Sequence, residues 1–254
     1  MSLIVNADDF GISEDVNCAI AECFEQNLIQ RTTLMCNMPY AKEAMELAVQ
    51  RGFADKVGVH LNLTAGMPLT NDIRSNRLFC NQLGEFNAAF CHSLRYRFLM
   101  NAESGRQMQK ELDAQLERYI ELGGTLRHVD SHHHVHTNPS VLKTLIPLLK
   151  KYDVKSVRYG RNMYHGGNIL MKLFKVLLNR RLLKFNLRSG FFGSMKDMEN
   201  YIVEEGAKAG EWANRNSVEV MVHPMHDRDG RLVDNTNEEV VEMKKIALLM
   251  GEEK

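Results

Sequence analysis

The 254-residue chain has no CxxC pair, no net charge, no long apolar run and no internal repeat. Each absence removes a class of function. The five cysteines (Cys18, Cys23, Cys36, Cys80 and Cys91) are odd in number and irregularly spaced. They predict reduced thiols in a cytoplasmic protein, and they exclude a disulfide framework or a zinc knuckle. Lysine and arginine total 32, as do aspartate and glutamate, so bulk charge gives no reason to expect a nucleic-acid partner. No stretch reaches the ~18 uninterrupted apolar residues of a membrane span. Leu3-Ile4-Val5 begins without a basic segment and apolar run ahead of it, so neither a signal peptide nor a membrane partner is expected. Without a linker or low-complexity segment, residues 1–254 read as a single domain.

What is present is an alternation of short apolar runs and amphipathic stretches, the pattern of an α/β chain with a mostly parallel sheet. Leu3 to Ala7, Thr32 to Cys36, Val57 to Leu63, the stretch from His128, Lys155 to Tyr159, Leu187 to Phe191 and Ser217 to Val222 predict about seven parallel strands, close to a full (β/α) barrel. Helices are predicted at Val16 to Phe24, at Ala41 to Arg51 with Gly52 as the stop, and at Met108 to Tyr119 before Gly123-Gly124. Asn138-Pro139 opens another, which Pro147 should kink or end. Further helical spacing covers Met198, Ile202 and Ala209, and then Val240, Met243, Ile246 and Leu249. Residues 66–105 break the rhythm as an irregular insertion, either a lid or a packed helical excursion. Ile169 to Phe185 is amphipathic and basic, a pattern that also suits a membrane-surface helix, and is expected to pack on the domain or on a second subunit.

The stretch His128-Val129-Asp130-Ser131-His132-His133-His134-Val135-His136 holds five of the ten histidines. In an extended strand His128, Asp130, His132, His134 and His136 share a face, with the tail of the run expected to be loop. Imidazole is the commonest protein metal ligand and a proton carrier near neutral pH. Asp8-Asp9 follows the first strand, His60 closes the third and His223-Pro224 lies past the last. Strand C-terminal ends are where α/β folds collect chemistry. Singly, an Asp-Asp pair is turn chemistry and a strand histidine is a core residue. Together, Asp9, His60 and His132 offer one carboxylate and two imidazoles, which can hold a divalent ion with positions left open. Asp8 is the candidate base toward water and His223 the candidate acid toward a leaving group. Asp130 suits a partner that orients a histidine. The same two-His-one-carboxylate set also fits an iron oxygenase, or a non-catalytic protein that keeps a metal site.

Asn6-Ala7-Asp8-Asp9-Phe10-Gly11, Gly58-Val59-His60-Leu61-Asn62-Leu63-Thr64, the histidine run and Val222-His223-Pro224 resemble the motifs of the YdjC-like carbohydrate deacetylases, which include chitooligosaccharide deacetylases. The resemblance implies a distorted barrel related to the polysaccharide deacetylases and metal-dependent removal of acetyl groups from N-acetylated sugars such as diacetylchitobiose. It implies Asp9, His60 and His132 as metal ligands, Asp8 as base, His223 as acid, magnesium as the ion and a homodimer. Two imidazoles suit zinc or cobalt better. The resemblance also implies a further strand after the last helix, whereas this chain stops at Glu252-Glu253-Lys254. The barrel is therefore expected to close imperfectly or against a neighbouring subunit.

Overall fold

The computed structural model describes residues 2–125, 127–163, 168–186, 190–205, 217–236 and 239–245. Strand β1 (Ser2–Phe10) is followed by α1 (Glu14–Glu25), β2 (Arg31–Leu34), α2 (Ala41–Gln50) and β3 (Val57–Leu61). Three short helices, α3 (Asn71–Arg74), α4 (Ala89–His92) and α5 (Leu94–Phe98), lead to the long α6 (Ala102–Glu121). Then come β4 (Val129–Ser131), α7 (Pro139–Lys151), α8 (Ile169–Leu182), β5 (Gly190–Ser194), α9 (Met195–Glu205) and β6 (Ser217–Val222). The hairpin strands β7 (Pro224–His226), β8 (Leu232–Thr236) and β9 (Glu239–Glu242) follow. The fold class is the α/β, barrel-like one expected. Among the described residues six parallel strands join in the order β4-β3-β2-β1-β6-β5, with β7-β8-β9 a separate antiparallel sheet.

The chain divides into two compact units. One comprises residues 1–8, 14–32 and 156–254. In it β6 lies between β1 and β5, and its Val218, Val220 and Val222 are buried. Helix α1 carries Glu14 and Asp15 in its first turn, where they favour the helix dipole, and buries Ala19, Ile20 and Cys23. The other unit comprises residues 9–13 and 33–155. Its core is the buried face of α6, with Met108, Leu112, Leu116 and Tyr119 all fully buried. The Tyr119 hydroxyl donates to the Val57 carbonyl at 2.6 Å, which ties α6 to the start of β3. Gly123, at φ +94°, ends this helix in the left-handed region.

Residues 66–105 form a packed excursion in that second unit. Phe79, Phe86 and Phe90 are buried, and Phe79 and Phe90 meet edge to face with centroids 5.2 Å apart. Glu111 of α6 accepts from the Leu69 and Thr70 amides at 3.0 and 2.8 Å and from the Thr70 hydroxyl at 2.7 Å. A carboxylate with three such donors fastens the loop to the helix.

Several expectations are corrected. Lys155 to Tyr159 is not a strand; only Val157 makes a bridge. Pro147 does not end α7, which runs on to Lys151. The lost Pro147 amide bond is offset by the burial of Leu145, Leu148 and Leu149. The strand expected at Leu187 to Phe191 begins at Gly190 and runs to Ser194, with residues 187–189 outside the described ones. The closing helix expected from Val240 starts instead as β9, where Glu-Val-Val-Glu pairs with β8 in the register Val233↔Glu242. β-branched side chains favour the pleated pairing. Ala209, Ile246 and Leu249 lie outside the described residues. The cysteines are free, as expected. Burial pushes the Cys80 thiol up to about 11 and the Cys91 thiol up to about 12, so neither is poised as a nucleophile.

Candidate metal centre

In the unit built from residues 9–13 and 33–155, Asp9, His60 and His132 bring one ligand atom each within 4.8 Å of one another. Asp9 sits near the end of β1 at φ +67°, a left-handed conformation that aspartate tolerates better than most residues but that still costs free energy. The tight turn after it has the Ile12 amide bonded to the Asp9 carbonyl at 3.1 Å. Gly11 takes φ +92° there, and a Cβ on it would stand 3.1 Å from Ala41 Cα and from Leu34 Cδ1. Glycine is therefore required on both counts.

His60 reaches the site through strand register. β3 and β4 pair in parallel with His60 opposite Asp130, so the two side chains share a face. His60 Nδ1 lies 2.6 Å from Asp130 Oδ1, while the Thr33 hydroxyl donates to Asp130 Oδ2 at 3.0 Å. A carboxylate accepts, so His60 carries its proton on Nδ1 and presents the Nε2 lone pair. That Nε2 is 3.1 Å from Asp9 Oδ1. Two acceptor atoms so close repel unless a cation or a proton lies between them. Asp130 thus orients the imidazole, the role its spacing suggests.

The tail of the histidine run is a turn and not strand, as expected, and the strand itself is short. β4 stops at Ser131, and His132–Thr137 is a short 3-10 turn with His133 and His134 at φ 50° and 53°. Two left-handed residues in succession turn the chain, so of His128, Asp130, His132, His134 and His136 only Asp130 lies in the strand. His132, first past the strand end, places Nδ1 2.8 Å from Asp9 Oδ1. His136 serves the turn: its amide donates to Ser131 Oγ at 3.0 Å and its Nδ1 lies 2.6 Å from the same oxygen. Asn62, in the second motif, is also structural, its Oδ1 accepting from the Thr64 and Ala65 amides at 2.9 and 3.1 Å.

Burial alone would push the Asp9 carboxyl up. Protons on the His132 and His60 nitrogens that face it, in the place a cation would take, outweigh that and hold it well below the ordinary carboxylate value. Ligand atoms about 2.1 Å from one ion are separated by about 3.0 Å at octahedral angles and about 3.4 Å at tetrahedral ones. The 2.8 and 3.1 Å separations found around Asp9 Oδ1 are close to the octahedral spacing. His60 is buried, whereas Asp9 and His132 keep partial exposure, which leaves a side open to solvent. The three residues fit a single divalent ion.

Asp8 and His223 belong to the other unit, each with partners of its own. Asp8 is buried, and fully buried Arg158 grips it in a fork, Nη1 to Oδ2 and Nη2 to Oδ1, both at 2.6 Å. Arg158 Nε donates to Glu219 at 2.6 Å, and its guanidinium stacks 4.7 Å from the centre of the Phe192 ring. Glu219 also pairs with Arg31 at 2.8 Å, Arg31 Nε donates to Asn6, and Asn6 donates to Asp8. The contacts close a ring of two cations, two anions and an amide that fixes the Asp8 carboxylate. His223 Nδ1 lies 3.0 Å from Thr236 Oγ1, whose own proton goes to Asp234 Oδ1 at 2.6 Å. The hydroxyl must then accept from Nδ1, which leaves Nε2 as the nitrogen that exchanges protons. Burial raises the Asp234 carboxyl against the pull of the His223 amide and the Thr236 hydroxyl.

Arg158, Glu219, Arg31, Thr236 and Asp234 are the site partners that sequence spacing does not reveal. Charged residues set within short apolar strands, Glu219 in Ser-Val-Glu-Val-Met-Val and Arg31 before Thr-Thr-Leu, are the available signal.

The sequence profile of a family described as YdjC-like protein matches residues 2–250. A carbohydrate deacetylase of Thermoanaerobacter pseudethanolicus is 37% identical over 155 residues, spanning 60% of this chain and 58% of that protein. A carbohydrate deacetylase of Halalkalibacterium halodurans is 34% identical over 230 residues, or 89% of this chain and 86% of that protein. Among solved structures, a cellobiose-phosphate cleavage protein from Enterococcus faecalis V583 superposes with a TM-score of 0.64 at 24% identity, covering 98% of this chain and 88% of the other. That likeness shows the fold. The match over residues 2–250 and the 34% identity over most of both chains establish that the chain belongs to the YdjC-like family.

Proposed function

We propose that this chain is a metal-dependent hydrolase that removes acetyl groups from N-acetylated sugars, with short chitooligosaccharides such as diacetylchitobiose as the substrate class. The observation that carries the reading is the meeting of Asp9, His60 and His132 around one point with ion-sized spacing. Kinship with proteins named carbohydrate deacetylases supports the substrate class. Asp9 supplies the anionic ligand, and the two imidazoles favour zinc or cobalt over the magnesium that the family resemblance implies. A divalent ion held there supplies Lewis acidity and a bound water of lowered pKa.

The side chains do the rest. Asp8, one residue ahead of Asp9, takes the proton of the water that attacks the acetyl carbonyl carbon. His223 gives a proton through Nε2 to the departing sugar nitrogen as the C–N bond breaks, so the products are acetate and a free amine. Positioned acids and bases of this type each contribute about 10²- to 10⁴-fold. The family resemblance supports a homodimer as the working assembly. Among the described residues no helix is long and apolar enough to cross a membrane.

The purified chain, supplied with zinc, cobalt or magnesium in turn, is expected to release acetate from diacetylchitobiose in step with formation of the free amine. Failure to release acetate from any N-acetylated sugar with all three ions, or oxygen uptake with ferrous iron, would overturn this reading.

A further inference from the structure

Helix α8 is the basic amphipathic stretch that the sequence suggests should pack on the domain, and it does so with only a narrow strip. Leu178 and Leu182 are buried. Ile169, Leu170, Leu173, Val176 and Leu177 remain exposed, at 72, 70, 56, 49 and 59%. Their spacing is i, i+1, i+4, i+7 and i+8, so they line one face over two turns, opposite the buried strip. Exposed apolar stripes on one helix are uncommon on soluble surfaces and mark contacts.

The sequence around the stripe carries charge of one sign. No aspartate or glutamate occurs between Asp153 and Asp197, a stretch that carries ten lysines and arginines, of which Arg158 is buried against Asp8 and Glu219 and Lys155 and Arg161 pair with Asp153 and Asp197. Since the whole chain balances 32 against 32, the rest of it carries an excess of ten acids. Beside α8 lies a cavity of about 530 Å³. Val176, Leu183 and Phe191 line it together with Lys172, Lys175 and Arg180, and no acidic residue does. Apolar walls ringed by cations match a ligand with an anionic head and a hydrocarbon tail.

We propose that α8 and the cavity beside it dock this protein on an anionic lipid bilayer, with the apolar stripe in the headgroup and acyl boundary and the basic side chains on lipid phosphates. The acidic remainder of the chain is repelled from such a surface, which turns the basic face toward it. A symmetric contact between two copies through α8 would set four cations, Lys172, Lys175, Arg180 and Arg181, against four, so self-association does not account for the stripe as well as a polyanionic surface does. The inference stands apart from the deacetylase reading, because binding is measured without substrate.

Flotation of the full chain with vesicles tests it. Vesicles of phosphatidylcholine with roughly a third phosphatidylglycerol are expected to carry at least about tenfold more protein than pure phosphatidylcholine, and about 0.5 M salt should remove most of the difference. The paired exposed-site substitution Leu173→Glu with Leu177→Glu should drop binding to the phosphatidylcholine level while leaving the melting temperature unchanged. Equal flotation of the variant and the parent chain, or no preference for anionic vesicles, would overturn the proposal. So would a dimer in solution that the same variant converts to monomer, because the stripe would then be a self-interface.

Discussion

His132→Ala is expected to lower acetate release by about three orders of magnitude and to reduce bound divalent ion from about one per chain to near zero. Lewis-acid stabilisation is worth several kcal/mol, and each ~1.4 kcal/mol is tenfold in rate. His132 holds Nδ1 2.8 Å from Asp9 Oδ1, and removing it leaves two ligands where three meet. The neighbouring His133 gives the contrast. It lies at φ 50° in the turn, so His133→Asn, which tolerates that conformation, should keep both metal and activity. Metal analysis and an acetate assay on the two variants decide between them. Equal losses would show that the run acts as a diffuse cluster and not through one side chain.

Arg158→Met should cost about 3–5 kcal/mol of folding stability, the scale for breaking a buried ion pair from one side. Arg158 is fully buried and bonds Asp8 twice and Glu219 once, all at 2.6 Å. Without it Asp8 and Glu219 lose the cation they share. Adding Asp8→Asn should recover much of the stability, because one buried charge is gone, yet on the proposed mechanism leave the chain inactive, because Asp8 is its base. Urea melts and the acetate assay on the single and double variants separate the two effects. Unchanged stability in Arg158→Met would refute the ring as a structural device.

The proposed metal residues are legible in the sequence because parallel strands place their C-terminal ends side by side, and Asp9, His60 and His132 lie at or just beyond such ends. Which of His132, His133 and His134 faces Asp9 depends on where β4 stops, and periodicity does not mark that point. His132 follows β4 directly, and the two left-handed residues come after it. The Asp8 fork is invisible for another reason. Arg158 lies 150 residues away on a segment with a single bridging residue, so nothing local announces the pair. Val240 and Met243 fit a helical period, yet Val240 lies in β9, where pairing with β8 outweighs it. Residues 66–105 lack periodicity because Glu111 and buried phenylalanines, not repeating helix faces, hold them in place.

Anomalous diffraction from crystals soaked in zinc or cobalt tests the metal centre most directly. The account predicts a single strong peak bonded by an Asp9 carboxylate oxygen, His60 Nε2 and His132 Nδ1, each about 2.0–2.2 Å away, with Asp130 still holding His60 Nδ1. A peak on other side chains, or none where these three atoms meet, would contradict it.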